Sequence, residues 1–378
     1  MSGRRAAAYH GTAKGVLKME CNTRYLDFFL GALSPAGFHG YFAQLTAQPG
    51  LTPFLIKAGP GCGKSTMMKK LAALGSGTVE RIHCSSDPAS LDGAVFWEQN
   101  TAILDATAPH TLEPACPVAV EQVVSLYHTL DRARMQANAG EVRALFGRCS
   151  CLQGRAARYL AAAGALLLEN RRLAAGVADE GKARRYAARL AERRMPRQEG
   201  PGRESVRLLS AVTPDGILAY RNTVEALADD VIVLRDEYGA VSRVILEELR
   251  RQALERGLFV ITCRCPLAPE DKIDHLLLPE LGLAVLTSNS WHPMEFCGQH
   301  NMRCSRFADP EGLRARRQRM RFNQKAAAEL LAQTSALQRE ARCAHNELET
   351  YYKSAADFTR VDAVMAETAC SMGLVTKP

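Results

Sequence analysis

Pro53-Phe54-Leu55-Ile56-Lys57-Ala58-Gly59-Pro60-Gly61-Cys62-Gly63-Lys64-Ser65-Thr66, followed by Met67-Met68-Lys69-Lys70-Leu71, is the stretch on which the fold turns. A short apolar run enters a glycine-rich turn, and apolar residues then return at helical spacing, so the segment predicts a strand, a turn and a helix. Glycines let the backbone curl until successive N–H groups point at one anion, and a helix beginning near Lys64 adds the positive end of its dipole. Gly59, Pro60, Gly61, Cys62, Gly63, Lys64, Ser65 and Thr66 are therefore the candidate polyphosphate cradle. Lys64 is placed to reach the β and γ phosphates, and Ser65 to set its hydroxyl on Mg²⁺.

The segment resembles the Walker A motif of P-loop NTPases, with Ala58 in place of the usual first glycine. Its expected partner is a buried apolar strand ending in an acid, and Thr101-Ala102-Ile103-Leu104-Asp105 fits, which makes Asp105 the candidate acidic partner of Mg²⁺. No Glu follows Asp105, so the usual arrangement for activating a hydrolytic water is missing. A second strand, Thr78-Val79-Glu80-Arg81-Ile82-His83-Cys84, runs into the polar stretch Ser85 to Asp92. Ligands of open α/β sheets sit outside the carboxyl ends of the strands, so Asp87 and Asp92 are candidates for positioning water or an acceptor. Plain turn chemistry at Ser86-Asp87-Pro88 is the competing reading. His110 is a further candidate for the same site.

The chain also repeats itself at an offset of about 180 residues, which is the scale of a duplicated domain. Leu30-Gly31-Ala32-Leu33-Ser34-Pro35-Ala36-Gly37 returns as Leu209-Ser210-Ala211-Val212-Thr213-Pro214-Asp215-Gly216. Ile82-His83-Cys84 returns as Ile261-Thr262-Cys263, and the run from Ala102 to His110 returns from Ala284 to His292. The counterpart of the glycine-rich segment reads Val231-Ile232-Val233-Leu234-Arg235-Asp236-Glu237-Tyr238-Gly239-Ala240-Val241-Ser242. There Val241 stands for Lys64 and Thr287 for Asp105, while Asp236 and Glu237 bring negative charge to the phosphate position, where like charges repel. The strand and helix are expected to survive in this copy without the cradle, and ATP is not expected to bind it in the standard way.

His83-Cys84-Ser85-Ser86-Asp87, Asp105-Ala106-Thr107-Ala108-Pro109-His110 and the two copies of the unit are similar to those of a bacterial family of tandem P-loop ATPases, over nearly the whole chain. The resemblance implies ATP and Mg²⁺ as ligands; the change at Arg235 to Ser242 departs from a family pattern with a P-loop in both halves. The expected fold class is α/β: tandem P-loop NTPase three-layer α/β/α domains with mainly parallel sheets, each followed by an α-helical hairpin arm. Residues 1–24 form an N-terminal segment expected to be disordered. Residues 25–200 form the active P-loop domain with an arm at about 121–195, and residues 201–378 the degenerate domain with an arm at about 311–370.

In the first arm Tyr159, Ala162, Leu166 and Leu173 suggest a helical seam; in the second Ala327, Leu331, Thr334, Leu337, Ala341, Ala344, Leu348 and Tyr351 suggest a longer one. These arms are the expected surface for a protein partner. Arg184, Arg185, Arg189, Arg193 and Arg194, and Arg314, Arg316, Arg317, Arg319 and Arg321, read as solvated helix faces. With 6% aromatic residues and no interleaved stacking platform, nucleic acid is not the expected partner. The chain of 378 residues carries 48 Lys and Arg against 40 Asp and Glu, a net +8 that favours anionic partners without selecting one. Its longest apolar stretch is about half the ~20 residues of a bilayer span, so no membrane segment and a cytoplasmic location are expected. Twelve cysteines then read as reduced thiols, and the spacing of Cys297, His300 and Cys304 near His292 matches no strong zinc pattern.

The leading expectation is an ATP-binding, slow Mg²⁺-dependent ATPase acting as a nucleotide switch, with Lys64, Asp105 and Asp87 as its catalytic candidates. A small-molecule or nucleotide kinase, with Asp87 or Asp92 orienting the acceptor, is the first alternative. A nonhydrolysing nucleotide-gated scaffold is the second.

Overall fold

The computed structural model describes residues 23–376, so the N-terminal segment lies outside the described residues as far as residue 22. The first half runs β1 (Arg24–Phe29), a hairpin of β2 (Gly31–Ser34) and β3 (Gly37–Gly40), α1 (Phe42–Thr46), β4 (Thr52–Lys57), α2 (Lys64–Leu74), β5 (Thr78–His83), β6 (Leu91–Phe96), β7 (Thr101–Asp105) and β8 (Gln122–Ser125). Helices α3 (Arg132–Ala137), α4 (Ala139–Ala175) and α5 (Glu180–Arg194) follow. The second half repeats this order with β9 (Arg203–Arg207), β10 (Ser210–Thr213), β11 (Gly216–Ala219), α6 (Arg221–Leu227), β12 (Asp230–Arg235), α7 (Ala240–Glu255), β13 (Phe259–Cys265), β14 (Ala268–Leu278), β15 (Leu283–Ser288) and β16 (His300–Arg303). It ends in α8 (Pro310–Ala355) and α9 (Phe358–Ser371).

The two six-stranded sheets have one topology, β1-β5-β6-β7-β4-β8 and β9-β13-β14-β15-β12-β16. Both are mixed and mostly parallel, with β6 and β14 antiparallel to their neighbours. From sequence, the strand-end polar stretch extends to Asp92; in the structure the chain turns at Asp87–Ser90 and returns as β6, so Asp92 lies inside a buried strand. Residues 122–125 likewise form an edge strand where the first arm is expected to begin.

The halves meet at equivalent residues. Phe29 and Leu208, at matching positions of the repeat, exchange backbone hydrogen bonds of 2.9 Å in both directions. Phe28, Leu30 and Leu104 of one half share a single core with Leu209, Val233 and Leu286 of the other. Such a shared apolar core makes the two halves one cooperative unit, since separating them would expose its surface to water. Arg207 ties across this contact to Glu80 at 2.9 Å, both almost fully buried.

Asp27 anchors the same seam. Its carboxylate accepts from Arg81 (2.7 and 2.8 Å), from Asn222 (2.6 Å), and faces His83 Nε2 at 2.8 Å. Burial alone would raise its pKa, but the hydrogen bonds of His83, Arg81 and Asn222 outweigh that and hold it well below the usual carboxylate range. A depressed folded value means the contribution is full above the unfolded value of about 3.9 and is lost as pH falls below it. Denaturant midpoints at pH 6 and pH 3 are therefore expected to drop more in the native chain than in Asp27→Asn, and equal drops would refute the role given to this carboxylate.

The arm helices find their principal partners outside their own arm. α4 runs along α8, α5 packs on α7 and α9 on α2. Leu152, Ala156, Leu160 and Ala163 of α4 face Ala327, Leu331, Leu337, Ala341 and Ala344 of α8. Small residues on both sides allow close approach, and Asn323 donates to Asn170 Oδ1 at 2.9 Å within the seam. The seam on α8 is the one its spacing predicts; that on α4 is not, because Tyr159 and Ala162 face solvent. An alanine-rich helix has small apolar residues on every face, so periodicity alone cannot choose between them. The arginines of both runs are exposed, with Arg316 half-buried. Among the described residues no helix is long and apolar enough to cross a membrane.

Candidate functional site

β4 is an apolar run buried between β7 and β8, and its parallel register with β7 sets Ile56 opposite Asp105. The chain leaves β4 through residues 58–63 and enters α2 at Lys64. Gly61 (φ +68°) and Gly63 (φ +85°) lie in the left-handed region, which side chains disfavour by roughly 1–2 kcal/mol per residue, so glycine here permits the curl. Lys64 Nζ donates to Gly59 O at 2.9 Å and stands 3.5 Å from Asp105 Oδ2, both side chains largely buried. Ser65 Oγ accepts from Leu91 N at 3.0 Å, which ties the helix start to β6. Cys62 is buried behind the loop, where desolvation pushes its thiol up, and Thr66 is exposed.

Asp105 Oδ1 accepts from Thr107 N (3.0 Å) and Thr107 Oγ1 (2.5 Å). Two residues already singled out in the sequence, Asp92 and His110, lie beside it. Asp92 on β6 and His110, five residues beyond β7, offer ligand atoms that lie with those of Asp105 within 4.8 Å of one another. Burial raises the Asp92 carboxyl above its ordinary range, with Asp105 pushing the same way against His110 and Lys64. Phe42 stacks on the His110 ring at 4.7 Å between centroids and fixes its plane. Asp87 does something else: its carboxylate accepts from Ser90 Oγ at 2.6 Å and closes the turn into β6. That hydrogen bond is the one the turn reading of Ser86-Asp87-Pro88 expects.

Helix α8, almost three hundred residues away in sequence, lies on the glycine-rich loop. A Cβ at Gly59 would come within 2.3 Å of the Tyr352 ring, and one at Gly61 within 2.8 Å of Glu349 O. His345, on the same helix, is held below its ordinary value by burial, with Glu349 opposing and Lys64 adding to the shift. Sequence carries no signal for this contact beyond the seam that ends at Tyr351. Gly59→Ala is expected to cost about 1–3 kcal/mol by overpacking and to speed hydrogen exchange around residues 345–358. Adding Tyr352→Ala should remove most of the penalty, whereas additive effects in that double mutant would mean the two residues do not touch.

In the second half the same loop is built differently. The Asp236 carboxylate accepts from the backbone N–H groups of Ser242 (2.7 Å), Val241 (2.9 Å), Gly239 (3.0 Å) and Tyr238 (3.3 Å) at the start of α7. Gly239 keeps the left-handed φ of +68°. The expectation that this cradle is lost is corrected: its donors persist, and the chain fills them with its own carboxylate. Repulsion from Asp236 is accordingly replaced by attraction to the helix N-terminus. Glu237 turns away to Ser290 and Gln324. The buried ammonium of Lys272 contacts Asp274 beside this loop, and a cavity of about 460 Å³ is lined in part by Tyr238, Lys272, Asp274 and His292.

Comparison of the chain with protein families, with curated proteins and with solved structures gives no match. What the site can do therefore follows from its own geometry.

Proposed function

We propose that the chain is an ATP-binding protein of the P-loop type, a slow Mg²⁺-dependent ATPase that works as a nucleotide switch, with its chemistry in the first half. The observation that supports this best is the glycine-rich turn between β4 and α2 with Lys64 Nζ 3.5 Å from Asp105 on the neighbouring parallel strand. Backbone N–H groups of Gly59 to Thr66 would bind the phosphates, Lys64 would neutralise the β and γ groups, and Ser65 and Asp105 would hold Mg²⁺. Those two side chains suit the ion, since Mg²⁺ takes oxygen donors and Asp105 already faces a cation through Oδ2. Bound there, the ion would offset charge on the phosphate oxygens.

Slow turnover follows from the residue after Asp105, which is buried Ala106 rather than an acid. Switching follows from Glu349 and Tyr352 lying on Gly61 and Gly59, so that a loop rearranged by nucleotide shifts the end of α8. The kinase reading has one specific point in its favour: Asp92, buried at the site, is a carboxylate without a hydrolytic Glu beside it. Phosphate release with ATP and Mg²⁺ separates the two. The ATPase reading expects release by the native chain and its loss in Asp105→Asn; release that appears only on adding an acceptor hydroxyl would favour the kinase, and tight binding with no release at all would favour a scaffold.

A further inference from the structure

We propose that Asp92, Asp105 and His110 form a binding site for one divalent first-row transition-metal ion of the zinc or cobalt kind. The inference does not rest on the nucleotide reading, although Asp105 belongs to both. Three observations carry it.

The first is convergence. β6 supplies Asp92, β7 supplies Asp105 at its carboxyl end, and the following loop returns His110, with their ligand atoms within 4.8 Å of one another. Two carboxylate oxygens and one imidazole nitrogen are a mixed oxygen and nitrogen set. Imidazole suits zinc, cobalt and their neighbours, whereas Mg²⁺ prefers oxygen alone.

The second is the state of His110. The residue is 8% exposed, and among the described residues neither ring nitrogen has a hydrogen-bond partner. Its Nε2 stands 3.9 Å from Asp105 Oδ1, too far for a hydrogen bond and close enough for both to meet an ion. A buried imidazole left without partners costs free energy, which an ion bound to one of its ring nitrogens would offset. Phe42 and Phe38 pack on the ring and hold its position.

The third comes from the repeat. Gly93 pairs with Leu104 in the first sheet as His275 pairs with Leu286 in the second, so Asp92 corresponds to Asp274, Asp105 to Thr287 and His110 to His292. The second half thus keeps one carboxylate and the imidazole, and it meets that carboxylate with the buried ammonium of Lys272. In the first half Ser90, two residues before Asp92, stands where Lys272 stands before Asp274, and among the described residues no ammonium is ion-paired to Asp92, while Lys64 Nζ stands 3.5 Å from Asp105 Oδ2. A cation held in the second half by a covalent side chain is, in the first, to be supplied from solution.

The test uses the full chain, stripped with chelator, kept reduced and free of nucleotide, titrated with cobalt(II) by calorimetry and by visible absorption, with Mg²⁺ in parallel. One cobalt ion per chain is expected, bound at least tenfold more tightly than Mg²⁺ and without a thiolate charge-transfer band. His110→Ala and Asp92→Asn should each weaken binding at least tenfold, while His292→Ala leaves it unchanged; His110→Gln serves if the alanine variant fails to fold by its melting curve. Absence of binding, binding at exposed cysteines alone, or equal affinity in native and His110 variants would overturn the proposal. ATP binding measured on the same samples keeps failure here distinct from failure of the nucleotide reading.

Discussion

Lys64→Ala is expected to weaken ATP binding by roughly ten- to a hundredfold and to reduce phosphate release to background. Hydrogen bonds to a charged group contribute about 1.5–3 kcal/mol, and each 1.4 kcal/mol is tenfold in affinity. Lys64 is the cationic side chain that reaches both the loop, through Gly59 O, and Asp105, and its side chain is only 14% exposed, so water screens it weakly. The substitution also leaves Asp105 without its ammonium neighbour, and a melting curve taken alongside separates lost binding from lost folding. Lys64→Arg should recover part of the affinity and little of the turnover, because a planar guanidinium does not occupy the place of a compact ammonium. Unchanged affinity in a folded Lys64→Ala would remove this loop from nucleotide binding.

The largest expected effect on stability is at Asp236. Four backbone N–H groups at the start of α7 donate to its carboxylate, which is 7% exposed. A buried donor left unmet costs about 1–3 kcal/mol, and with water re-entering part of the space the loss in Asp236→Ala is expected to be ~3–5 kcal/mol. That is a large fraction of the 5–15 kcal/mol typical of a folded domain. Asp236→Asn keeps one acceptor oxygen and should lie between the two. Emptying the cradle should also expose an anion site, so phosphate or sulfate is expected to raise the midpoint of Asp236→Ala and to leave the native chain nearly unmoved. A variant as stable as the native chain, or one indifferent to anions, would show that the carboxylate does not stand in for a bound anion.

The strand, loop and helix around Lys64 could be read from sequence because each local signal agrees with its neighbour: an apolar run, clustered glycines and helical spacing. The duplication could be read because residue order and spacing survive in both copies, as Leu30 to Gly37 and Leu209 to Gly216 show. β6 could not, since Leu91-Asp92-Gly93-Ala94 mixes a carboxylate and a glycine into a strand that only the sheet completes. For the same reason Asp92 looked like a loop residue. Asp236 is an acid in a polar stretch until the fold aims four N–H groups at it, at which point its charge changes meaning from repulsion to attraction. The placing of α8 on the glycine-rich loop belongs to tertiary packing between residues far apart in the chain, and no local pattern encodes it.

The stoichiometry of ATP binding to the full chain tests the central claim most directly, measured by titration calorimetry with Mg²⁺ present. One nucleotide per chain, abolished or strongly weakened by Lys64→Ala, is the predicted result, because the N–H groups of the second loop are already taken by Asp236. Two nucleotides per chain would contradict the asymmetry between the halves, and none would contradict the nucleotide reading itself.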